Sequence, residues 1–349
     1  MIHTPYRKGA ARLRGLLSVM VGVACAALAP GVLAGPLKPV PAKSARSSHA
    51  PYSMGMCASC HVNKSKTNPG PIKKGASKTC NRCHSEMTKA VGKARFKHAP
   101  IRRGCTSCHN PHNARYKHLL RSPSKRLCVG CHTSIKTALK SKVKHGPMTK
   151  GKACVSCHDP HASNVQRLLL SKPGKLCLKC HSSNHVKDHN NKKLQNIRRL
   201  LSKNKRHHGP VRFKDCSACH KPHGSQHFRL LNATYPSSFY QRYSKKAYKL
   251  CYQCHSDKNI TKAVSTVTKF RDGKRNLHYV HVVKPRMGRS CTACHETHAS
   301  PQKAHIRPSV PYGSGGWKLE ITSPPTQADG RLPPPSPSPP PPSPLPPPL

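Results

Sequence analysis

The sequence is short of acidic and aromatic residues. Its 349 residues include nine Asp and Glu against 63 Lys and Arg, and aromatic side chains make up 5%. So few aromatics cannot build the core expected of a chain this long. They also offer little for base stacking, so we predict no specific nucleic-acid partner. Low hydrophobicity with a net charge of +54 is typical of disorder, so an ordered fold needs another source of apolar core.

Cysteine, by contrast, is present in a fixed pattern. Nine stretches read Cys-x-x-Cys-His and use eighteen of the nineteen cysteines. Cysteines at this spacing lie on one face of a helical turn and can bond to both vinyl groups of one porphyrin, while the histidine ligates its iron. Zinc or disulfides are the alternative, but neither requires a histidine after every second cysteine. We therefore predict nine c-type haems, whose porphyrins replace the missing core, and an apo-chain that is unfolded.

The predicted attachment cysteines are Cys57, Cys60, Cys80, Cys83, Cys105, Cys108, Cys128, Cys131, Cys154, Cys157, Cys177, Cys180, Cys216, Cys219, Cys251, Cys254, Cys291 and Cys294. The predicted proximal iron ligands are His61, His84, His109, His132, His158, His181, His220, His255 and His295.

The sixth iron ligand decides between a closed and an open haem. Nine further histidines occupy equivalent places before or after the motifs, and methionine is scarce and does not recur. His207 and His278 are alternatives to His208 and His281. The predicted distal ligands are His49, His98, His112, His145, His161, His208, His223, His281 and His298.

The motifs belong to a repeat with a period of 48 or 49 residues, and later units are stretched by insertions. A unit reads His-x-Pro, Cys-x-x-Cys-His-x-Pro-His, a leucine pair and Leu-Cys-x-x-Cys-His. Ser or Thr then predicts a helix N-cap, followed by about three helical turns. We predict mostly coil with short α-helices and little or no sheet. The predicted haem-binding region, 35–310, divides into units 49–97, 98–144, 145–207, 208–280 and 281–310.

Both ends differ from the repeat. Residues 1–34 combine a basic start, an apolar run and Val32-Leu33-Ala34, which is typical of a cleaved export signal. A retained membrane anchor and a lipidated Cys25 are the alternatives. The tail, 311–349, is rich in proline, which favours an extended polyproline II chain.

Over about residues 49–318, the unit resembles the doubled CXXCH-motif multihaem cytochromes c of respiring bacteria. The resemblance implies an electron carrier of the periplasm or cell surface, with iron haems as cofactors. Implied partners are acidic redox proteins, other cytochromes or an outer-membrane porin, with no transmembrane span after signal cleavage. The alternatives are a porin-embedded conduit and an oxidoreductase of nitrite or hydroxylamine type with one open haem. All nine motifs end in His, without the Lys that often marks an open iron.

Overall fold

A computed structural model describes residues 37–149, 151–188, 190–310 and 317–318. The predicted export signal, 1–34, lies outside these residues. Of the tail, 311–349, only Trp317–Lys318 is described. The described residues from Pro39 to Val310 belong to one compact unit. No described helix combines the length and apolar character needed to cross a membrane.

Short helices and turns make up the fold, as the sequence predicted. The α-helices of the described chain are α1 Ala50–Ser53, α2 Ala76–Asn81, α3 Ser85–Lys93, α4 Ser124–Val129, α5 Thr133–Ala138, α6 Gly146–Thr149, α7 Pro173–Leu178, α8 Ile197–Lys203, α9 Gly209–Arg212, α10 Lys258–Thr261, α11 Leu277–Val282 and α12 Cys291–Cys294. The 3-10 helices are Ala42–Ser44, Cys57–Ser59, Ala99–Arg103, Cys105–Ser107, Lys117–Leu119, Ala153–Ser156, Gln166–Leu168, Cys216–Ala218, Phe228–Leu230, Cys251–Gln253 and Lys303–His305.

The helices that follow the second motifs differ in detail from the expectation. In α3 and α5 the cap residue is the motif histidine itself, His84 or His132, and no side chain caps the helix. The Ser or Thr is the first helical residue instead. In the third unit, the insertion between the motif and α8 delays the helix to Ile197.

Strands are only two residues long in the described chain. They are β1 Ser47–Ser48, β2 Phe96–Lys97, β3 Asn113–Ala114, β4 Ala162–Ser163, β5 Arg206–His207, β6 Arg271–Asp272, β7 Arg275–Asn276, β8 Ala299–Ser300, β9 Ser309–Val310 and β10 Trp317–Lys318. All five pairings, β1–β3, β2–β4, β5–β8, β6–β7 and β9–β10, are antiparallel.

Three of these pairings link successive repeat units. The strand before His49 pairs with the strand after His112, and the His49 N–H donates to the His112 carbonyl at 2.9 Å. The pairings β2–β4 and β5–β8 repeat this contact before His98 and His208, whose N–H groups donate to the His161 and His298 carbonyls. Before His145, an isolated bridge makes the corresponding link, and it joins Val143 to Ser225 through two hydrogen bonds of 2.8 and 2.9 Å. Each unit therefore holds the next one through its lead-in segment.

A serine next to the linking strands closes the turn that follows the motif. The buried hydroxyl of Ser225 donates to the Leu231 carbonyl and accepts from the His227 N–H at 2.9 Å. Ser163 makes the same pair of bonds, with Leu169 and Val165. Burying both backbone groups is tolerable because the hydroxyl satisfies both of them.

Replacing Ser225 by Ala should lower the free energy of unfolding of the haem-loaded protein by about 1–3 kcal/mol, because two buried backbone groups lose their partner. Denaturant unfolding measures the change. Ser202→Ala is the control, since that hydroxyl is exposed and bonds within its own helix. Equal midpoints for the two variants would contradict the role given to Ser225.

Candidate haem centres

Each of the nine motifs forms a turn with the same backbone hydrogen bond. In all nine, the histidine N–H donates to the carbonyl of the first cysteine, at 2.9 to 3.1 Å. The turn is a 3-10 helix at Cys57–Ser59 and lies at the end of an α-helix at Cys80. This bond brings the two thiols and the imidazole of one motif to the same side of the chain, which is the arrangement that a covalent haem requires.

Each motif histidine faces a second histidine from elsewhere in the chain. In the nine pairs the ring centroids are 6.0 to 6.4 Å apart and the ring planes are within 7 to 21° of parallel. A metal–imidazole nitrogen bond is about 2.0 Å long, so one metal between two imidazoles sets their centroids about 6 Å apart. The pairs are His61–His112, His84–His49, His109–His161, His132–His98, His158–His223, His181–His145, His220–His298, His255–His208 and His295–His278.

Eight of the nine pairs, all but His295–His278, follow one rule along the repeat. The histidine of a second motif, such as His84, faces the lead-in histidine of its own unit, here His49. The histidine of a first motif, such as His61, faces the histidine after the first motif of the next unit, here His112. The first unit has no histidine after its first motif, and under this rule it needs none.

The last motif departs from the sequence expectation. His278 faces His295 with centroids 6.4 Å apart, whereas the predicted ligand, His281, lies parallel to Phe270 at 5.6 Å. Both histidines lie on α11, one turn apart, so spacing along the repeat could not separate them. The Nδ1 atom of His278 is 3.0 Å from the Thr268 hydroxyl. For the other eight predicted distal residues, the structure places the ring opposite a motif histidine.

Backbone carbonyls orient many of these rings. The Nδ1 atom of His109 donates to the His118 carbonyl at 2.8 Å, and that of His98 donates to the Pro160 carbonyl at 2.8 Å. Donation from Nδ1 leaves the lone pair on Nε2, the form that binds a metal. The same bond is made by His49, His61, His145, His158, His220 and His295.

A strained turn supplies the carbonyl after the first motifs. His118 and Leu119 both have φ near +57°, with values of 59° and 55°. Left-handed conformations cost non-glycine residues about 1–3 kcal/mol each. The conformation recurs at 167–168, 229–230 and 304–305, and each time the first residue's carbonyl accepts the Nδ1–H of the motif histidine nine residues earlier. Sequence reasoning missed these turns, because no glycine marks them.

Burial favours the neutral form of several facing imidazoles. It lowers the pKa of His298 to about 4 and also lowers the pKa of His145, His181 and His223. A neutral imidazole is the form that ligates iron. These four histidines therefore present the ligating form near neutral pH.

Motif cysteines of successive units also meet. Cys128 and Cys154 hydrogen-bond through their thiols, which raises the pKa of Cys128 and lowers that of Cys154 to about 6, because the two share a proton. The same thiol contact joins Cys80 to Cys105, Cys177 to Cys216 and Cys251 to Cys291. The attachment sites thus adjoin one another in the order of the sequence.

A tyrosine cluster surrounds the last of these contacts. Tyr248 is fully buried, with its ring 6.0 Å from that of Tyr235 and 5.8 Å from that of Tyr243. The Tyr235 hydroxyl donates to Thr292 Oγ1 and accepts from the Thr292 N–H, both at 2.8 Å. The insertion after the seventh motif therefore provides a local aromatic core beside Cys291.

The family model for the doubled CXXCH motif matches residues 49–89, 98–137, 145–186 and 208–260, about half of the chain. The chain belongs to the doubled CXXCH motif family. It is a multihaem c-type cytochrome, as the sequence predicted. No curated protein matches it.

The residues of this cytochrome suit covalent haem. Each motif offers two thiols for thioether bonds and one imidazole for the iron, and the facing imidazole would offer the iron a second nitrogen. When bound, haem iron supplies a one-electron couple whose potential depends on its axial ligands. Eighteen reduced cysteines are present in the described chain, so none is occupied by a disulfide.

Replacing His278 or His281 tests the ninth pair. His278→Ala should open one iron of the loaded cytochrome, so that the reduced protein binds one more carbon monoxide per chain than the wild type does. His281→Ala should leave all irons low-spin, because His281 lies against Phe270 and not opposite His295. Carbon monoxide titration and absorbance spectra measure both. A ligand-binding iron in His281→Ala alone would reverse the assignment.

Proposed function

We propose that this cytochrome carries electrons along nine bis-His haems outside the cytoplasm. The observation that carries the proposal is the set of nine facing histidine pairs, one for each motif. With haem bound, a second imidazole at every motif would leave the iron no position for a substrate. That arrangement favours electron transfer over substrate reduction.

Contact between attachment sites supports passage of electrons along the chain. Thiols of successive units meet at four places, as between Cys80 and Cys105. Within a unit, the cysteines are also close enough to perturb one another, as Cys131 does Cys108 and Cys180 does Cys157. The motifs therefore form one uninterrupted series of neighbours.

Export and an acidic partner complete the proposal. A c-type cytochrome with a signal-like start at 1–34 fits the periplasm or cell surface. The excess of Lys and Arg favours acidic redox proteins, because complementary charge raises the rate of encounter. An outer-membrane porin complex would use the same cationic surface against acidic groups.

The mature chain should carry nine covalent haems, because all nine motifs are intact and wound into one turn. Intact-mass measurement of the exported protein counts them directly. Fewer than eight haems would contradict this prediction, and a histidine-to-alanine change at a distal position should not alter the count.

Ferric and ferrous samples of the wild-type cytochrome should be low-spin. The reduced protein should bind carbon monoxide at no more than one haem per chain, because a second imidazole closes each iron. Absorbance spectra measure the spin state, and carbon monoxide titration counts the open haems. Binding at several haems would overturn the carrier proposal and favour an oxidoreductase.

A further inference from the structure

At three junctions between units, a helix of the preceding unit contacts the turn of a first motif. The turn Cys105–Ser107 is covered by α2 of the preceding unit, and a Cβ built on Gly104 would lie 3.6 Å from the Ser77 hydroxyl. The turn Ala153–Ser156 is covered by α4, and Cys216–Ala218 by α7. At each of these places, the helix that covers the turn brings a second-motif cysteine to the first-motif cysteine.

Four such cysteine contacts join eight of the nine motifs in pairs. In the described chain, the motif that begins at Cys57 has no such contact. No motif precedes Cys57 in this sequence. Its turn, Cys57–Ser59, lines a surface hollow together with Gly55, Met56 and Lys64. The hollow thus lies where the other first motifs receive the helix of a preceding unit.

Two exposed methionines lie at this hollow. Met56 lines it and is 51% exposed, and Met54, the neighbour of the lining residue Gly55, is 71% exposed. Methionine adapts to the shape of a partner, and neighbouring exposed apolar side chains mark an interaction site. We call these two methionines, with the turn Cys57–Ser59, the Cys57 face.

The charge around the Cys57 face is of one sign. Lys64 lines the hollow, Lys66 lies beside Gly55, and Lys73 donates from Nζ to the Ala58 carbonyl at 2.8 Å. The sequence contains no Asp or Glu before Glu86. A second copy of this chain would bring the same positive charge to the contact, whereas an acidic protein would be attracted.

We infer that the Cys57 face is the docking site for an acidic c-type cytochrome. The partner would contact this first motif as the second motif of a preceding unit contacts the first motif at the other junctions. This inference rests on the proposed function, because it makes the first motif the place where electrons enter or leave the chain. Apolar contact at the methionines and attraction by the lysine rim recognise the partner.

The test uses the haem-loaded full-length protein and a mitochondrial-type cytochrome c whose lysines have been succinylated, so that negative charge surrounds its haem edge. Met54→Glu places a negative charge within the Cys57 face, and this charge should repel the negatively charged partner. Calorimetry at low salt should show binding weakened at least tenfold. The control is Met287→Glu, which makes the same charge change at a methionine that is 62% exposed in another unit, and it should weaken binding less than twofold.

Equal weakening by the two variants, or no binding to the wild type, would overturn the inference. So would a wild-type dimer in sedimentation that Met54→Glu makes monomeric, because a second copy would then occupy the face. Reoxidation of each reduced protein by ferricyanide reports electron release without docking. Normal reoxidation with failed binding rejects the docking site alone, whereas carbon monoxide binding at several haems rejects the carrier function.

Discussion

The structure depends on one requirement, that each motif histidine meet a second imidazole from a distant part of the chain. The motif supplies its own thiols and one ring within five residues, but the facing ring lies 17 to 78 residues away. Linking strands such as β1–β3 meet this requirement, because the backbone bond between His49 and His112 places two distal rings together. Successive units are therefore held together by the same segments that complete the iron sites.

The motif histidines are positioned at a conformational cost that tertiary contacts offset. Pairs of left-handed residues, as at Arg167 and Leu168, direct a carbonyl to the ring of His158. Serine hydroxyls such as that of Ser163 hold the same turns closed. Strain of this kind persists where surrounding bonds determine the geometry, and it clusters at functional sites. Here it sets the tautomer that leaves Nε2 for a metal.

A small protein core accompanies this arrangement. The buried apolar residues of the described chain include Tyr248, Val282 and Ala293 near the last motifs, whereas the earlier units have few, such as Ala114 and Val143. Porphyrin faces would supply apolar surface that the side chains lack, which explains how so basic and aromatic-poor a sequence can fold. The positive charge of the Lys and Arg side chains is then left for the exterior of the protein.

The sequence by itself determined the cofactor class, the repeat and most of the histidines concerned, because Cys-x-x-Cys-His is a local signal set by one turn of chain. It also predicted short helices with little sheet. Only the tertiary structure decided which histidines face each other, since pairing of His61 with His112 crosses between units. The choice of His278 over His281 was likewise beyond the sequence, because both lie on one helix and packing against Phe270 separates them. Local spacing identifies candidate ligands, but long-range contacts decide which of their rings face each other.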